Sequence, residues 1–416
     1  MSQPLHHRYL QTKLKIALSD TPVVCILGAR QSGKTTLAKQ FTKDRTYINF
    51  DDLTMLTAAK QDPTGFIRGL PEKVILDEIQ RIPELMPVIK ASVDLKRTPG
   101  RFLLTGSANL LLLPNVQESL AGRMEILNLH PLTEQEKQNK QQSFLARLLD
   151  RPLKSLIIGD QTVIKGVAEA VCRGGYPEAN TRSEVRSRQW HQQYLEAIIQ
   201  RDVKDIANIR DEGEMMRVAQ AVAYRTGTLL NTSSFANELD ISRNTTDKYI
   251  TVLERLFLVR RLSAWHKNQV KRLVKTPKIH WVDSGLAATL NSLKADEWFD
   301  HTVNFGALLE SFVVQQIIAQ AGWLEEAPRF SHYRDTDQVE VDLVIELGRK
   351  LWGIEVKKSA SIQAKDVIGL SKLAKQSGKQ FQGGIIFYCG NNCLSLAEEN
   401  CFAVPIDWLW QMPENY

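Results

Sequence analysis

Short apolar runs that end on small or acidic residues recur through the first third of the chain. Val23–Leu27, Val74–Leu76 and Phe102–Leu104 are too short for core helices and do not alternate, which predicts buried strands of a parallel sheet. Met124–Leu129 reads as a further short strand, and Thr36–Phe41 is compatible with a helix. From Pro131 to Lys165 the pattern turns polar and amide-rich, the composition of a link into helices. Trp190–Ala207 has helical spacing, with Tyr194, Leu195, Ile198, Ile199 and Ile206 on one apolar face.

The second half carries two further patterns. Thr232–Leu239 opens like a capped short helix, and Asp240–Arg243 is a tight polar connection. Asn244–Leu256 is a second helix, with Tyr249, Ile250, Leu253, Leu256 and Phe257 facing inward. That is a helix-turn-helix pattern. Leu258–Leu262 and Lys278–Val282 then flank a basic stretch with Lys267, Lys271, Arg272 and Lys275, which completes a winged helix. Farther on, Glu340–Glu346 and Leu351–Lys358 alternate and are rich in β-branched residues, with Leu347–Lys350 as their hairpin. Leu308–Ile318 is helix-like, and Ile385–Tyr388 and Phe402–Pro405 add strands.

A length of 416 residues implies two to four domains. Hydrophobic content of 43% and charged content of 24% are those of a globular protein. No run has the length of a membrane helix, and Met1–Asp20 lacks an apolar signal core, so a cytoplasmic protein without a membrane partner is expected. The cysteines at 25, 172, 389, 393 and 401 lack zinc-site spacing and read as reduced, mostly buried thiols. Charge is uneven. Residues 216–280 hold 12 Lys and Arg against 4 Asp and Glu, while the whole chain carries +6. A concentrated basic segment suits a polyanion, and equally describes a solvated basic face.

Gly28-Ala29-Arg30-Gln31-Ser32-Gly33-Lys34-Thr35 is a complete G-x-x-x-x-G-K-T phosphate loop between a strand and a helix. Its backbone N–H groups, together with Thr36 at the helix start, can close around phosphates. Lys34 reaches the β- and γ-phosphates, and Thr35 can ligate Mg²⁺. Val74–Glu78 ends in two carboxylates: Asp77 to hold Mg²⁺ and Glu78 to polarise the attacking water. At the end of the third strand, Thr105 and Ser107 are candidate γ-phosphate sensors or residues of a small turn. Arg123 has two readings, an arginine finger acting in cis or in trans, or a structural partner of Glu118 or Glu125. There is no Asn-Lys-x-Asp guanine-reading motif, which makes ATP the better choice without settling adenine against guanine.

Gly28–Thr35, Val74–Glu78, Thr105-Gly106-Ser107 and Leu120-Ala121-Gly122-Arg123 resemble a widespread group of bacterial and archaeal AAA-type ATPases with a conserved C-terminal region of undefined function. The resemblance continues through Arg173-Gly-Gly-Tyr-Pro177 and Arg201-Asp202, where the family has a helical lid. It implies a core of the additional-strand, catalytic-glutamate type, with Glu78 as the glutamate. It supplies no biological substrate.

Glu355 and Lys357 share one strand face, with Asp342 on the strand before. With Glu310 on the preceding helix, these four positions resemble the D…(E)-x-K arrangement of restriction-endonuclease-like folds. The resemblance implies Mg²⁺ or Mn²⁺ on Glu310, Asp342 and Glu355, with Lys357 orienting water or stabilising phosphorane charge. Degenerate relatives of that fold keep partial sites, so cleavage stays open. For the winged helix, Arg243, Asn244, Thr245, Thr246 and Lys248 would face a DNA groove and Lys271 and Arg272 its phosphates; an interdomain or partner-binding module is the other reading.

The expected fold is α/β. A P-loop core with a parallel sheet spans 1–160, a helical lid 161–212, a winged helix 213–295 and an α/β endonuclease-like domain 296–416. The expected function is Mg²⁺-dependent ATP hydrolysis coupled to double-stranded DNA. The alternative is a nucleotide-dependent switch or scaffold that binds a protein partner and carries an inert C-terminal domain. A homo-oligomer is compatible with both.

Overall fold

The computed structural model describes residues 6–106, 120, 122–140, 143–150, 153–157, 163–207, 211–268, 270, 272 and 275–413. The chain forms two compact units. One comprises His7–Pro131 with Arg255–Phe257, the other Leu132–Glu254 and Leu258 onward.

The first unit holds five parallel strands, β1 (Val23–Leu27), β2 (Thr46–Asn49), β3 (Val74–Asp77), β4 (Phe102–Gly106) and β5 (Met124–Asn128), in the order β2-β3-β4-β1-β5. The uninterrupted apolar runs are explained by burial on both faces. Val23, Cys25, Leu27, Leu76, Phe102 and Leu104 pack on one side, and Val24, Ile26, Ile75 and Leu103 on the other. The edge strands β2 and β5 are only partly buried, and their sequences are correspondingly mixed. β4 pairs with both β1 and β3, so it separates the phosphate-loop strand from the strand ending in Asp77. This is the additional strand implied by the family resemblance.

In the second unit, three helices (Val163–Arg173, Glu184–Ala207 and Glu212–Tyr224) lead into β6 (Thr228–Leu229). Helices Thr232–Leu239 and Arg243–Arg255 follow, then β7 (Val259–Leu262) and β8 (Lys278–Trp281), in an antiparallel sheet ordered β6-β8-β7. Trp190, Tyr194, Leu195, Ile198 and Ile199 are buried, as the helical spacing required. Helix Thr302–Ala321 precedes a mixed sheet of β9 (Arg329–Arg334), β10 (Glu340–Leu347), β11 (Lys350–Lys357), β12 (Phe381–Tyr388), β13 (Leu394–Ser395) and β14 (Cys401–Pro405). The order is β13-β14-β12-β11-β10-β9, with β11, β12 and β14 parallel.

The division between units falls after Pro131, earlier than the boundary at 160 expected from composition. The polar link packs with the C-terminal sheet. Leu156 and Cys393 exchange backbone hydrogen bonds of 2.8 and 2.9 Å, and Phe144 lies on Phe387 with ring centroids 5.2 Å apart. Gln320 Oε1 accepts from Leu145 N at 3.0 Å. Sequence polarity hid this because few apolar residues, Phe144, Leu145 and Leu148 among them, carry the packing. The cysteines are thiols rather than disulfides, and burial pushes those of Cys25, Cys172, Cys389 and Cys401 up to about 12. Among the described residues no helix is long and apolar enough to cross a membrane.

Candidate functional site

Residues Gly28–Gly33 form the turn between β1 and helix Lys34–Lys39. Ala29 and Ser32 are buried, Arg30 is half-buried, and Gln31 and Thr36 are exposed. Gly28 and Gly33 are required by geometry. A Cβ on Gly28 would sit 2.2 Å from the Leu129 carbonyl oxygen, and Gly33 has a φ of +100°. The buried Lys34 donates from Nζ to the carbonyls of Ala29 (2.8 Å) and Gly28 (3.1 Å). Ser32 Oγ is buried with no hydrogen-bond partner among the described residues, an orphan of the kind a phosphate oxygen satisfies.

The Asp77 carboxylate is the centre of the site. It is 1% exposed and accepts from three hydroxyls. Thr35 Oγ1 donates at 2.9 Å, Tyr47 OH at 2.6 Å, and Thr105 Oγ1 also donates to it. Thr105 Oγ1 in turn accepts from Glu78 N at 3.2 Å, so β4 positions both acids. Ser107, the other predicted sensor, lies outside the described residues. Glu78 has a left-handed backbone, φ +59°, which turns its side chain off the line of β3. Such strain costs about 1–3 kcal/mol and concentrates at functional sites. Gln80 Nε2 donates to Glu78 Oε2.

Tyr47 carries no motif signal; only the β2–β3 pairing brings it to Asp77. Burial first, then the bond to Asp77, push its phenol well above the ordinary value, so it is a fixed donor. Tyr47→Phe is expected to weaken Mg²⁺-ATP binding roughly tenfold, the scale of one hydrogen bond to a charged group. A Mg²⁺ titration of ATP hydrolysis measures it, and an unchanged Mg²⁺ requirement would remove Tyr47 from the site.

Arg8 is a second residue without sequence signal. Its guanidinium donates to Ser32 O (2.7 Å) and His130 O (2.6 Å) and braces the loop from behind. Arg123 Nε donates to Asp94 Oδ1 at 2.5 Å and Nη2 to Asp94 Oδ2 at 3.1 Å. Among the described residues it thus pairs with Asp94 of helix Leu85–Leu95, while Glu118 lies outside them.

The C-terminal constellation also assembles. Leu343 pairs with Ile354, which sets Asp342 of β10 beside Glu355 of β11. Lys357 Nζ lies 3.2 Å from Glu355 Oε2, and Asp342 Oδ2 accepts from Val356 N at 2.9 Å. The sequence missed Lys278 on β8. Its ammonium is 2.8 Å from Glu310 Oε1, 3.0 Å from Asp342 Oδ1 and 3.3 Å from Glu340 Oε2. Burial, then the Asp342 charge, push Glu310 and Glu355 above the ordinary carboxyl range. Burial opposes ionisation of Asp342 too, but Lys278 and Lys357 outweigh it and hold that carboxyl below its usual value. Among the described residues, no group of three His, Cys, Asp or Glu has the arrangement to hold a metal ion.

Of the predicted DNA-facing residues, Arg243, Asn244 and Lys248 are exposed at the start of helix Arg243–Arg255. Thr245 is half-buried against its cap, Ser242 Oγ. Thr246 is fully buried and turned away from any groove, a correction that follows from its place one turn before Ile250 on the core face. Lys271 lies outside the described residues. Arg272 forks onto Glu346 at 2.7 and 3.0 Å and stacks on Trp265. Arg225, Arg261 and Lys278 are likewise paired within the fold, so the surface is less basic than the sequence count.

Residues 20–137 match a family model described as an AAA domain. Residues 164–297 and 305–409 match two described as domains of unknown function, DUF8612 and DUF4143. The uncharacterized protein Rv2008c of Mycobacterium tuberculosis is 31% identical over 361 residues, which is 86% of this chain and 75% of that one. An uncharacterized protein of Haemophilus influenzae is 24% identical over 311 residues, 69% of this chain and 74% of its own. Among solved structures, the Walker-type ATPase PABY2304 of Pyrococcus abyssi aligns with a TM-score of 0.41 at 15% identity, over 68% of this chain and 94% of that one.

Proposed function

The chain belongs to the family of AAA-type P-loop ATPases that carry a C-terminal domain of unknown function, and from that premise we propose that it hydrolyses ATP and couples the cycle to double-stranded DNA held by its C-terminal half. The observation that carries the hydrolytic reading is the Asp77 node, a buried carboxylate fixed by hydroxyls of Thr35, Tyr47 and Thr105 beside Glu78. Lys34 exchanges the Gly28 and Ala29 carbonyls for phosphate oxygens of ATP. Thr35 and Asp77 are the pair that would hold Mg²⁺, which when bound neutralises charge on the β- and γ-phosphates. Glu78 orients water for in-line attack and takes its proton.

The DNA reading is supported by two exposed basic surfaces. One is Arg243, Asn244 and Lys248. The other is a groove of about 810 Å³ in the C-terminal unit, lined by Lys267, Arg329, Arg349 and Lys379. Phosphate contacts give salt-dependent affinity. Replacing Lys267, Arg349 and Lys379 together by Gln is expected to lower the slope of log affinity against log salt by roughly 0.9 per lost contact. Fluorescence anisotropy with a labelled duplex reads this; an unchanged slope removes the groove from the interface. A nucleotide-dependent switch that binds a protein partner is the second reading, and the internal pairing of Arg225, Arg261 and Arg272 favours it.

The deciding experiment is ATP hydrolysis with and without duplex DNA at two salt concentrations, with Glu78→Gln as control. Salt-sensitive stimulation that vanishes in the variant supports coupling to DNA. Hydrolysis indifferent to DNA favours the protein-partner switch, and hydrolysis equal in the variant rejects Glu78 as the base.

A further inference from the structure

An ammonium group offers three donors and requires an acceptor for each when buried. Lys278 Nζ has three: Glu310 on helix Thr302–Ala321, and Glu340 and Asp342 on β10. Lys278 is only 2% exposed and sits on the central strand of the β6-β8-β7 sheet, outside the D…(E)-x-K pattern itself. The geometry is that of a filled cation site.

We propose that the Lys278 ammonium is the resident cation of the Glu310–Asp342 cluster, standing where a divalent metal would be held, so that this cluster binds no divalent metal and cuts no phosphodiester through one. The carboxylates around it are largely matched by cations of the chain. Four carboxylates (Glu310, Glu340, Asp342, Glu355) face three cations (Lys278, Arg334, Lys357). A divalent ion would add two charges beside an ammonium already in contact with the same oxygens. The second oxygen of Asp342 is also committed, to Val356 N. Two buried histidines near Lys278, His280 and His332, add no positive charge. Burial first and Lys278 second push them down to about 3 and about 4. The cluster therefore acts as a clasp between β8 and the β10–β11 hairpin with its neighbouring helix.

The test is Mn²⁺ binding to the full chain, followed by electron paramagnetic resonance, with the phosphate-loop site disabled by Thr35→Ala and Asp77→Asn. With Lys278 present, the expected result is no bound Mn²⁺ that depends on Asp342. Lys278→Ala in the same background should gain one Mn²⁺, lost again on Asp342→Asn. Mn²⁺ bound in the presence of Lys278 and released by Asp342→Asn overturns the proposal, as does a folded Lys278→Ala chain that gains none. If Lys278→Ala does not fold, the comparison of the Lys278 chain with its Asp342→Asn variant decides alone. Asp342-dependent, Mn²⁺-dependent nicking of supercoiled DNA would overturn it independently.

Discussion

Glu78→Gln is expected to keep ATP bound and to slow its hydrolysis by about 10²–10⁴-fold, the usual worth of a positioned general base. The substitution is nearly isosteric. The left-handed backbone at position 78 and the bond from its N–H to Thr105 Oγ1 do not depend on the side-chain charge. Lys34, Thr35 and Asp77 stay in place, so the groups that bind ATP are untouched. Equilibrium binding of a fluorescent ATP analogue, with single-turnover phosphate release, separates the two effects. Unchanged binding with slow release is the expected pair. Equal loss of both would mean that Glu78 helps to build the loop rather than to activate water. Asp77→Asn should differ: it disturbs three hydroxyl contacts and weakens Mg²⁺-dependent binding as well as turnover.

Lys278→Met carries the largest expected loss of stability. Removing one partner of a buried ion cluster strands the others, typically at about 3–5 kcal/mol. Here Asp342 is buried and Glu310 partly buried, and they lose the ammonium at 3.0 and 2.8 Å. For a unit of this size the loss corresponds to a fall in Tm of about 10 °C. Thermal unfolding followed by circular dichroism measures it. Glu310→Gln in the Lys278→Met background should recover part of the loss, because it removes one of the stranded charges. A fall of under about 2 °C would mean that the cluster is already neutral and that Lys278 contributes packing alone.

The contrast between these two variants reflects what could be read from the chain. Glu78 was legible because strand, loop and helix are contiguous, and the order apolar run, glycine loop, Lys-Thr sets its own local geometry. The helices Thr232–Leu239 and Arg243–Arg255 and the alternating strands were legible for the same reason: periodicities of 3.6 and 2 are properties of neighbouring residues. Asp342, Glu355 and Lys357 belong with these, since a hairpin of fixed register places them together.

Tyr47, Arg8 and Lys278 were not legible. Each reaches its site through residues far away in the sequence, and nothing in its own neighbourhood marks it. The basic segment shows the same limit. A count of Lys and Arg cannot tell Lys248, which faces solvent, from Lys278, which is buried among carboxylates. Thr246 was misplaced because a helix beginning fixes which residues are near the groove, while the rotation of that helix is set by what Ile250 and Leu253 pack against. The sequence alone thus determined the phosphate loop, the strand and helix pattern and the pairing of Asp342 with Glu355 and Lys357, all of which follow from local spacing. Only the tertiary structure decided which hydroxyls fix Asp77, where the units divide and which cation the C-terminal carboxylates hold, because those depend on long-range packing that brings distant charges within a few ångströms of one another.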